Sequence, residues 1–408
     1  MKTSEFKTEF GEWLKTQQPE MLETLKSWSN INSGSFNVDG INIMAPTIAE
    51  YAESCLSVKA TITQLPSISV MSDSGELIEK SIGPVLQMSK RPEAKNRVLF
   101  CGHMDTVFPV ESDFQAWHQI DQNTLGGPGV ADMKGGIIVM LKALQAFERS
   151  GYADDLGWDI LLNSDEEIGS LGSAPYLMAA AKKTNIGMVY EPCMPDGYLA
   201  GARRGSGNYS LVIHGKAAHA GREYDLGRNA IATLASAMSK LDELNKLKDS
   251  ITLNLGRISG GGPTNVVPNL AVCHFNIRVE SLDDQAFAEK HVADVVAAAN
   301  SLDGFSTTIS GGFNRPPKPA TEKQKNLFNL VTLCGEELDL KLGFRDTGGC
   351  CDGNNLLAAG LANIDTLGVQ GGDIHSSKEY MLIDSLTERA QLSVKILHRL
   401  ATEPDQWL

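Results

Sequence analysis

Two patterns of apolar residues follow one another along this chain, and their order restricts the folds open to it. Short apolar runs at Val98–Cys101, Trp158–Leu162 and Ile186–Tyr190 are interleaved with a helix-like stretch, Met133–Glu148, that stops before Gly151. Buried strands alternating with helices predict an α/β sheet whose functional loops gather at the strand ends. From about Arg203 the order becomes strand (Tyr209–His214), helix (Leu226–Leu247), strands (Ile251–Leu255, Ala271–Val279), helix (Asp283–Ala299) and strand (Phe305–Ser310). That β-α-β-β-α-β succession is the ferredoxin-like arrangement. Gly205 and Gly207 precede it and Gly311 and Gly312 follow it, where hinges are expected. Helices at Glu322–Glu337 and Ser385–Ala401 then return to the α/β pattern. The expected architecture is an α/β domain of residues 1–203 and 314–408, interrupted by a small α+β domain at 204–313.

A chain of 408 residues suits two such domains. The longest apolar stretch, Ile137–Phe147, is short and carries Lys142, so it reads as a buried helix rather than a membrane span. Met1–Lys7 leads into a charged stretch without the apolar centre of a secretory signal, so a cytoplasmic location is expected. A formal net charge of −14 repels phosphate backbones and anionic membranes, which argues against nucleic-acid and membrane partners. The seven cysteines are scattered apart from Cys350 and Cys351, form no C-x-x-C pair, and offer neither a disulfide framework nor a zinc ribbon.

Metal-ligating side chains stand where strands end or helices begin: His103 with Asp105, Asp132, the pair Glu166 and Glu167, Glu191, and His375. Each alone is commonplace, but strand ends on one edge of a sheet converge in space. The charges also balance. Two Zn²⁺ ions are neutralised by carboxylates at Asp132, Glu167 and Glu191 together with a bridging hydroxide, and His103 and His375 add one neutral imidazole to each ion. Co²⁺ or Mn²⁺ would fit the same donors. Asp132 is expected to bridge ions about 3.5–4 Å apart. Asp105 is placed to accept the outward N–H of His103, and Glu166 remains free to take a proton from metal-bound water.

The runs Gly102-His103-Met104-Asp105-Thr106-Val107, Gly129-Val130-Ala131-Asp132-Met133-Lys134-Gly135-Gly136, Asp165-Glu166-Glu167-Ile168-Gly169-Ser170, Tyr190-Glu191-Pro192 and Ile374-His375-Ser376 resemble the signatures of the two-zinc aminoacylase and carboxypeptidase family. That family includes acetylornithine deacetylase, succinyl-diaminopimelate desuccinylase and peptidase T. The likeness is nearest to its bacterial glutamate carboxypeptidases and covers nearly the whole chain. The resemblance implies a zinc-exopeptidase-like α/β domain with an inserted lid and dimerisation domain. It implies that His103 and Glu191 bind one zinc, that Glu167 and His375 bind the other, that Asp132 bridges, that Glu166 is the general base, and that the Asp132–Met133 peptide is cis. The implied reaction is hydrolysis of a peptide or N-acyl bond beside a free carboxylate, with glutamate as the favoured product. Glu191, where several deacylases carry Asp, favours the carboxypeptidase branches.

The same resemblance singles out His219, in Ala218-His219-Ala220-Gly221, as an oxyanion donor that crosses a homodimer to the partner's site. It marks Asn265 as a lid contact, Arg315 as the anchor for the substrate carboxylate, and Gly349 as part of a loop beside the pocket. Cys350 and Cys351 depart from the small polar residues common in that loop, which leaves side-chain specificity open. Arg204 is a second possible anion contact, with solvated surface the better reading. Cys193 reads as a small buried hydrophobe.

Rival functions lack their signatures. Gly205-Ser206-Gly207 leads into a strand and has no third glycine, so a dinucleotide site is not indicated, and G-x-S-x-G is absent. An inactive peptide-binding scaffold would be expected to have lost ligands, whereas all five and Glu166 are present. An N-acyl amino acid deacylase remains the alternative within the enzyme class.

Overall fold

The computed structural model describes residues 3–408, with side chains from Phe10 onward. Helices α1 (Thr3–Ser29) and α2 (Val38–Leu56) open the chain. Strands β1 (Thr61–Gln64), β2 (Pro84–Lys90), β3 (Asn96–His103), β4 (Leu156–Asn163) and β5 (Ile186–Val189) follow, with α3 (Lys134–Glu148) before β4 and α4 (Ala174–Ala181) before β5. They form the main sheet in the order β1-β2-β4-β3-β5, completed by a short strand at Asn363–Ile364. Strands β4, β3, β5 and 363–364 run parallel, and β1 and β2 make an antiparallel edge.

The parallel strands are buried on both faces, which explains their unbroken apolar runs. In β3 the side chains alternate: Val98 and Phe100 join the large core under α1, α2, α3 and the C-terminal helix Asp384–Thr402. Leu99 and Cys101 face the opposite side, against Leu177 and Ala181 of α4. Strand direction then puts His103, the turn after Asn163 and the turn after Val189 at one edge, where the carboxyl ends of the parallel strands open a crevice.

The inserted unit comprises β6 (Gly205–His214), α5 (Ala230–Asp242), β7 (Ile251–Gly260), β8 (Leu270–Val279), α6 (Leu282–Asn300) and β9 (Ser306–Arg315). Its sheet order, β7-β8-β6-β9 with every pair antiparallel, is the ferredoxin-like one. Both helices cover one face through Leu211, Ile213, Leu234, Phe275 and Val292.

Three expectations need correction. The single helix at Leu226–Leu247 is broken into a 3₁₀ turn at Tyr224–Leu226, α5, and a separate turn at Leu244–Leu247. Asn229 explains the new start, because its side chain accepts the Ala232 N–H at 3.0 Å as an N-cap. The expected hinge glycines lie inside paired strands. At Gly311, φ is +94° and a Cβ would come within 2.0 Å of the Asn208 carbonyl, so glycine is needed for close strand approach. Strand β9 also runs past Phe313 to Arg315. A small sheet was not anticipated: Gly371–Gly372 pairs with Tyr380–Leu382, which pairs in turn with Thr124–Gly126. None of the helices among the described residues is long and apolar enough to cross a membrane.

Candidate metal centre

His103 ends β3 with its ring held from behind. Its Nδ1 lies 3.0 Å from the Asp105 carbonyl oxygen and 3.4 Å from Asp105 Oδ1, so the outward nitrogen, Nε2, faces the crevice. The backbone carbonyl, more than the expected carboxylate, is the closer partner. The Asp105 carboxylate has further work: it accepts from Ser35 Oγ at 2.7 Å and from the backbone N–H groups of Glu166 and Glu167 at 3.2 Å each. One buried aspartate thus orients His103 and the turn that carries both glutamates.

Asp132 lies in the turn before α3, and its peptide bond to Met133 is cis. Helix α3 comes close enough to the end of β5 that a Cβ on Gly136 would fall 2.0 Å from the Tyr190 carbonyl, which is why glycine opens this helix. Asp132 Oδ1 lies 3.1 Å from His103 Nε2, and Oδ2 lies 3.3 Å from His375 Nε2. Glu191 Oε2 stands 3.7 Å from His103 Nε2, and Glu167 Oε2 stands 3.1 Å from His375 Nε2. Two clusters result, His103 with Asp132 and Glu191, and Asp132 with Glu167 and His375, each with its donor atoms within 4.8 Å of one another. Asp132 belongs to both.

The donor set fits a pair of cations. Among the described residues Glu167 Oε1 is buried without a hydrogen-bond partner, as expected of an atom whose partner is a metal ion. Burial pushes Glu166 well up and Glu167 to about 7, and it raises Glu191 as well. Hydrogen bonds to Asp132 and Glu167 push His375 up to about 11. Although burial acts the other way, the surrounding carboxylates, Glu191 foremost, hold His103 well above its ordinary value. Asp132 is held low by hydrogen bonds from His103 and His375 in spite of its burial. Carboxylates that resist ionisation beside imidazoles that hold protons mark a site short of positive charge.

The crevice beyond these residues has a volume of about 330 Å³ and is walled by Cys193, Met194, Cys350, Cys351, Gly349 and Ile374. Gly349 and both neighbouring cysteines therefore line the pocket. Arg315 does not. It is 3% exposed, and its guanidinium is engaged by Glu166, Asp352, Asn355 and Ser170. His219 and Asn265 are exposed and lie outside the pocket lining of this chain, side by side through the hydrogen bond from Ala220 N–H to the Asn265 carbonyl. His219 Nδ1 accepts the Gly221 N–H at 3.1 Å, which leaves Nε2 to carry the ring proton. Arg204 pairs with Glu280 at the surface.

Sequence reasoning passed over three residues. Arg278, on β8, donates from Nη1 to Cys350 Sγ at 3.1 Å and so reaches the rim of the pocket. Arg203 lines the pocket, but Asp365 takes its fork at 2.8 and 3.0 Å. Glu379, 1% exposed, braces the Asp132 turn. The strand periodicity at Arg278 was legible, since Asn276 and Arg278 fall on the face opposite Phe275 and Ile277. Nothing in the sequence marks Glu379 as buried.

Known proteins resemble this chain in both sequence and fold. The profile of "Peptidase family M20/M25/M40" matches residues 99–399. Carboxypeptidase G2 of Pseudomonas sp. (strain RS-16) is 26% identical over 384 residues, covering 93% of this chain and 89% of the relative. A succinyl-diaminopimelate desuccinylase of Nitrosococcus oceani is 27% identical over 327 residues, covering 75% of this chain and 84% of the relative. The fold of an M20 family metallo-carboxypeptidase of Sulfolobus solfataricus superposes with a TM-score of 0.74 at 17% identity, covering 94% of this chain and 99% of the other.

Proposed function

The chain belongs to the M20/M25/M40 peptidase family, and from that premise we propose that it hydrolyses a peptide or N-acyl bond beside a free carboxylate, with two Zn²⁺ ions bound. The observation that carries this reading is the sharing of Asp132 by two ligand clusters. His103 and Glu191 would hold one ion, Glu167 and His375 the other. Bound zinc supplies polarisation of the scissile carbonyl and a lower pKa for the attacking water. Glu166 is the general base: Arg315 occupies Oε1, which leaves Oε2 to accept the proton of a water and return it to the departing amine.

The carboxylate anchor in this reading is Arg278 rather than Arg315. Among the described residues Arg278 meets Asn276 Oδ1 and the Cys350 thiol and no carboxylate, whereas Arg315 and Arg203 are both already paired with acids. A carboxylate held by Arg278 would lie beside Cys350, on a pocket wall that also carries Cys351 and Met194. Among the described residues that wall carries no second unpaired cation, since Arg203 is held by Asp365, and this supports an uncharged released residue over glutamate. His219 and Asn265, exposed on the inserted domain, fit a role in the site of a second copy in a homodimer. Strand β7 is an edge strand that such pairing would cover. The free thiols of all seven cysteines agree with a reducing, cytoplasmic setting.

The test is a substrate panel with metal analysis. Dipeptides and N-acetyl amino acids ending in Leu, Met, Phe or Glu, each free and as the C-terminal amide, are assayed with zinc-loaded and chelated protein. Two zinc ions per chain and hydrolysis confined to free carboxylates are expected. One ion or none in a hydrolysing protein overturns the two-metal reading. Preference for N-acyl amino acids over dipeptides would place the chain with the deacylases, as the desuccinylase relative allows.

A further inference from the structure

We infer that Glu379 is a positioning residue that holds the turn bearing Asp132 in register with the loop bearing His375. Its buried carboxylate accepts three backbone N–H groups of that turn: Oε1 from Ala131 at 2.9 Å and Asp132 at 3.0 Å, and Oε2 from Gly129 at 3.1 Å. Its own carbonyl accepts the Gly127 N–H at 3.2 Å. Strand pairing continues the register, with Tyr380 opposite Gly126 and Met381 opposite Leu125. Glu379 is therefore the end of a ladder that runs directly into the turn.

The chemistry explains why an acid stands there. Residues 127–133 are a turn without a ladder of their own, and their N–H groups converge ahead of the first residue of α3. Buried N–H groups need acceptors, and the start of a helix favours negative charge. A carboxylate with two acceptor oxygens meets all three donors at once, and each bond is charge-assisted when the group is ionised. The consequence falls on Asp132, whose two oxygens must face His103 and His375 together. His375 and Glu379 share one loop, so the brace sets the placement of two ligands that come from distant parts of the sequence. A metal ligand tolerates an error of about half an ångström, and an unbraced turn would exceed that readily. This role goes beyond the proposed reaction, and it rests on the two-cluster reading only for its zinc readout.

Two measurements on the full chain test it. In the metal-free wild type, amide hydrogen exchange at Gly129, Ala131 and Asp132 is expected to be slow, because Glu379 and not zinc holds those groups. Fast exchange there overturns the brace. Glu379→Gln keeps size but leaves a single acceptor oxygen. It is expected to speed that exchange and to weaken zinc binding, titrated against a chromophoric chelator, on the order of 10–100-fold. A folded variant with zinc affinity within about threefold of wild type, or with a lowered melting temperature as its sole change, refutes the positioning role. If the variant does not fold, the wild-type exchange result alone decides. Wild type that shows slow exchange but binds no zinc would overturn the metal reading and leave the brace standing.

Discussion

Arg315 donates from Nη2 to Glu166 Oε1 at 2.7 Å and from Nη1 to Asp352 Oδ1 at 2.9 Å, so the arginine that ends the inserted domain is clamped between two buried acids. In the proposed reading it restrains Glu166 and is not the contact for a substrate carboxylate. Arg315→Ala is expected to leave both carboxylates unpaired in the interior and to cost roughly 3–5 kcal/mol of stability, read by denaturant unfolding. It should lower turnover equally for substrates with a free carboxylate and for their amides.

Arg278→Ala gives the opposite pattern. A lost charge-assisted anchor should cost about 2–4 kcal/mol in kcat/KM for free carboxylates and little for amides, with stability nearly unchanged. Equal losses on both substrate kinds would remove Arg278 from the anchor role.

The two adjacent glutamates should separate cleanly. Glu166→Gln keeps shape but cannot take a proton, so kcat should fall on the order of 10²–10⁴-fold with zinc content intact. Glu167→Gln should instead weaken zinc binding itself. Turnover retained by Glu166→Gln would move the base elsewhere.

Asp365 gives the fold a dependence on acid pH. Despite the opposing effect of burial, Arg203 and Lys318 hold its carboxyl down at about 2. A depressed folded-state pKa contributes stability that is present above the ordinary value of 3.8 and is lost as pH falls towards 2. The loss across that window is about 2 kcal/mol. Unfolding measured at several pH values should show a steeper acid slope in wild type than in Asp365→Asn.

The exposed position of His219 allows a mixing experiment. His219→Ala and Glu166→Gln should each be nearly inactive alone. In mixed dimers one intact composite site should restore activity towards half of wild type. If mass analysis shows exchanged subunits and no activity returns, His219 does not act across a dimer.

The alternation of β3, β4 and β5 with helices was readable because strands buried on both faces must be apolar throughout. The ferredoxin-like order was readable because its apolar strand runs are short and alternate with helix-length stretches, with a two-residue period plain at Ile251–Leu255 and Phe275–Val279. The break before α5 was missed, since the apolar rhythm continues through Leu226 while Gly227 ends the 3₁₀ turn and Asn229 starts α5 afresh.

By itself the sequence determined which residues could serve as donors and roughly where they sit, since His103, Glu166, Glu167 and Glu191 follow strands whose periodicity is local information. Tertiary structure alone decided which donors meet. That Asp132 lies between His103 and His375, that Arg315 is consumed by Glu166 and Asp352, and that Glu379 braces a turn far upstream all depend on long-range pairing. An acidic or basic side chain reads the same in a sequence whether it is solvated, paired or bound to metal. Its burial and its neighbours, set by how the sheet edge closes, determine which of these it becomes.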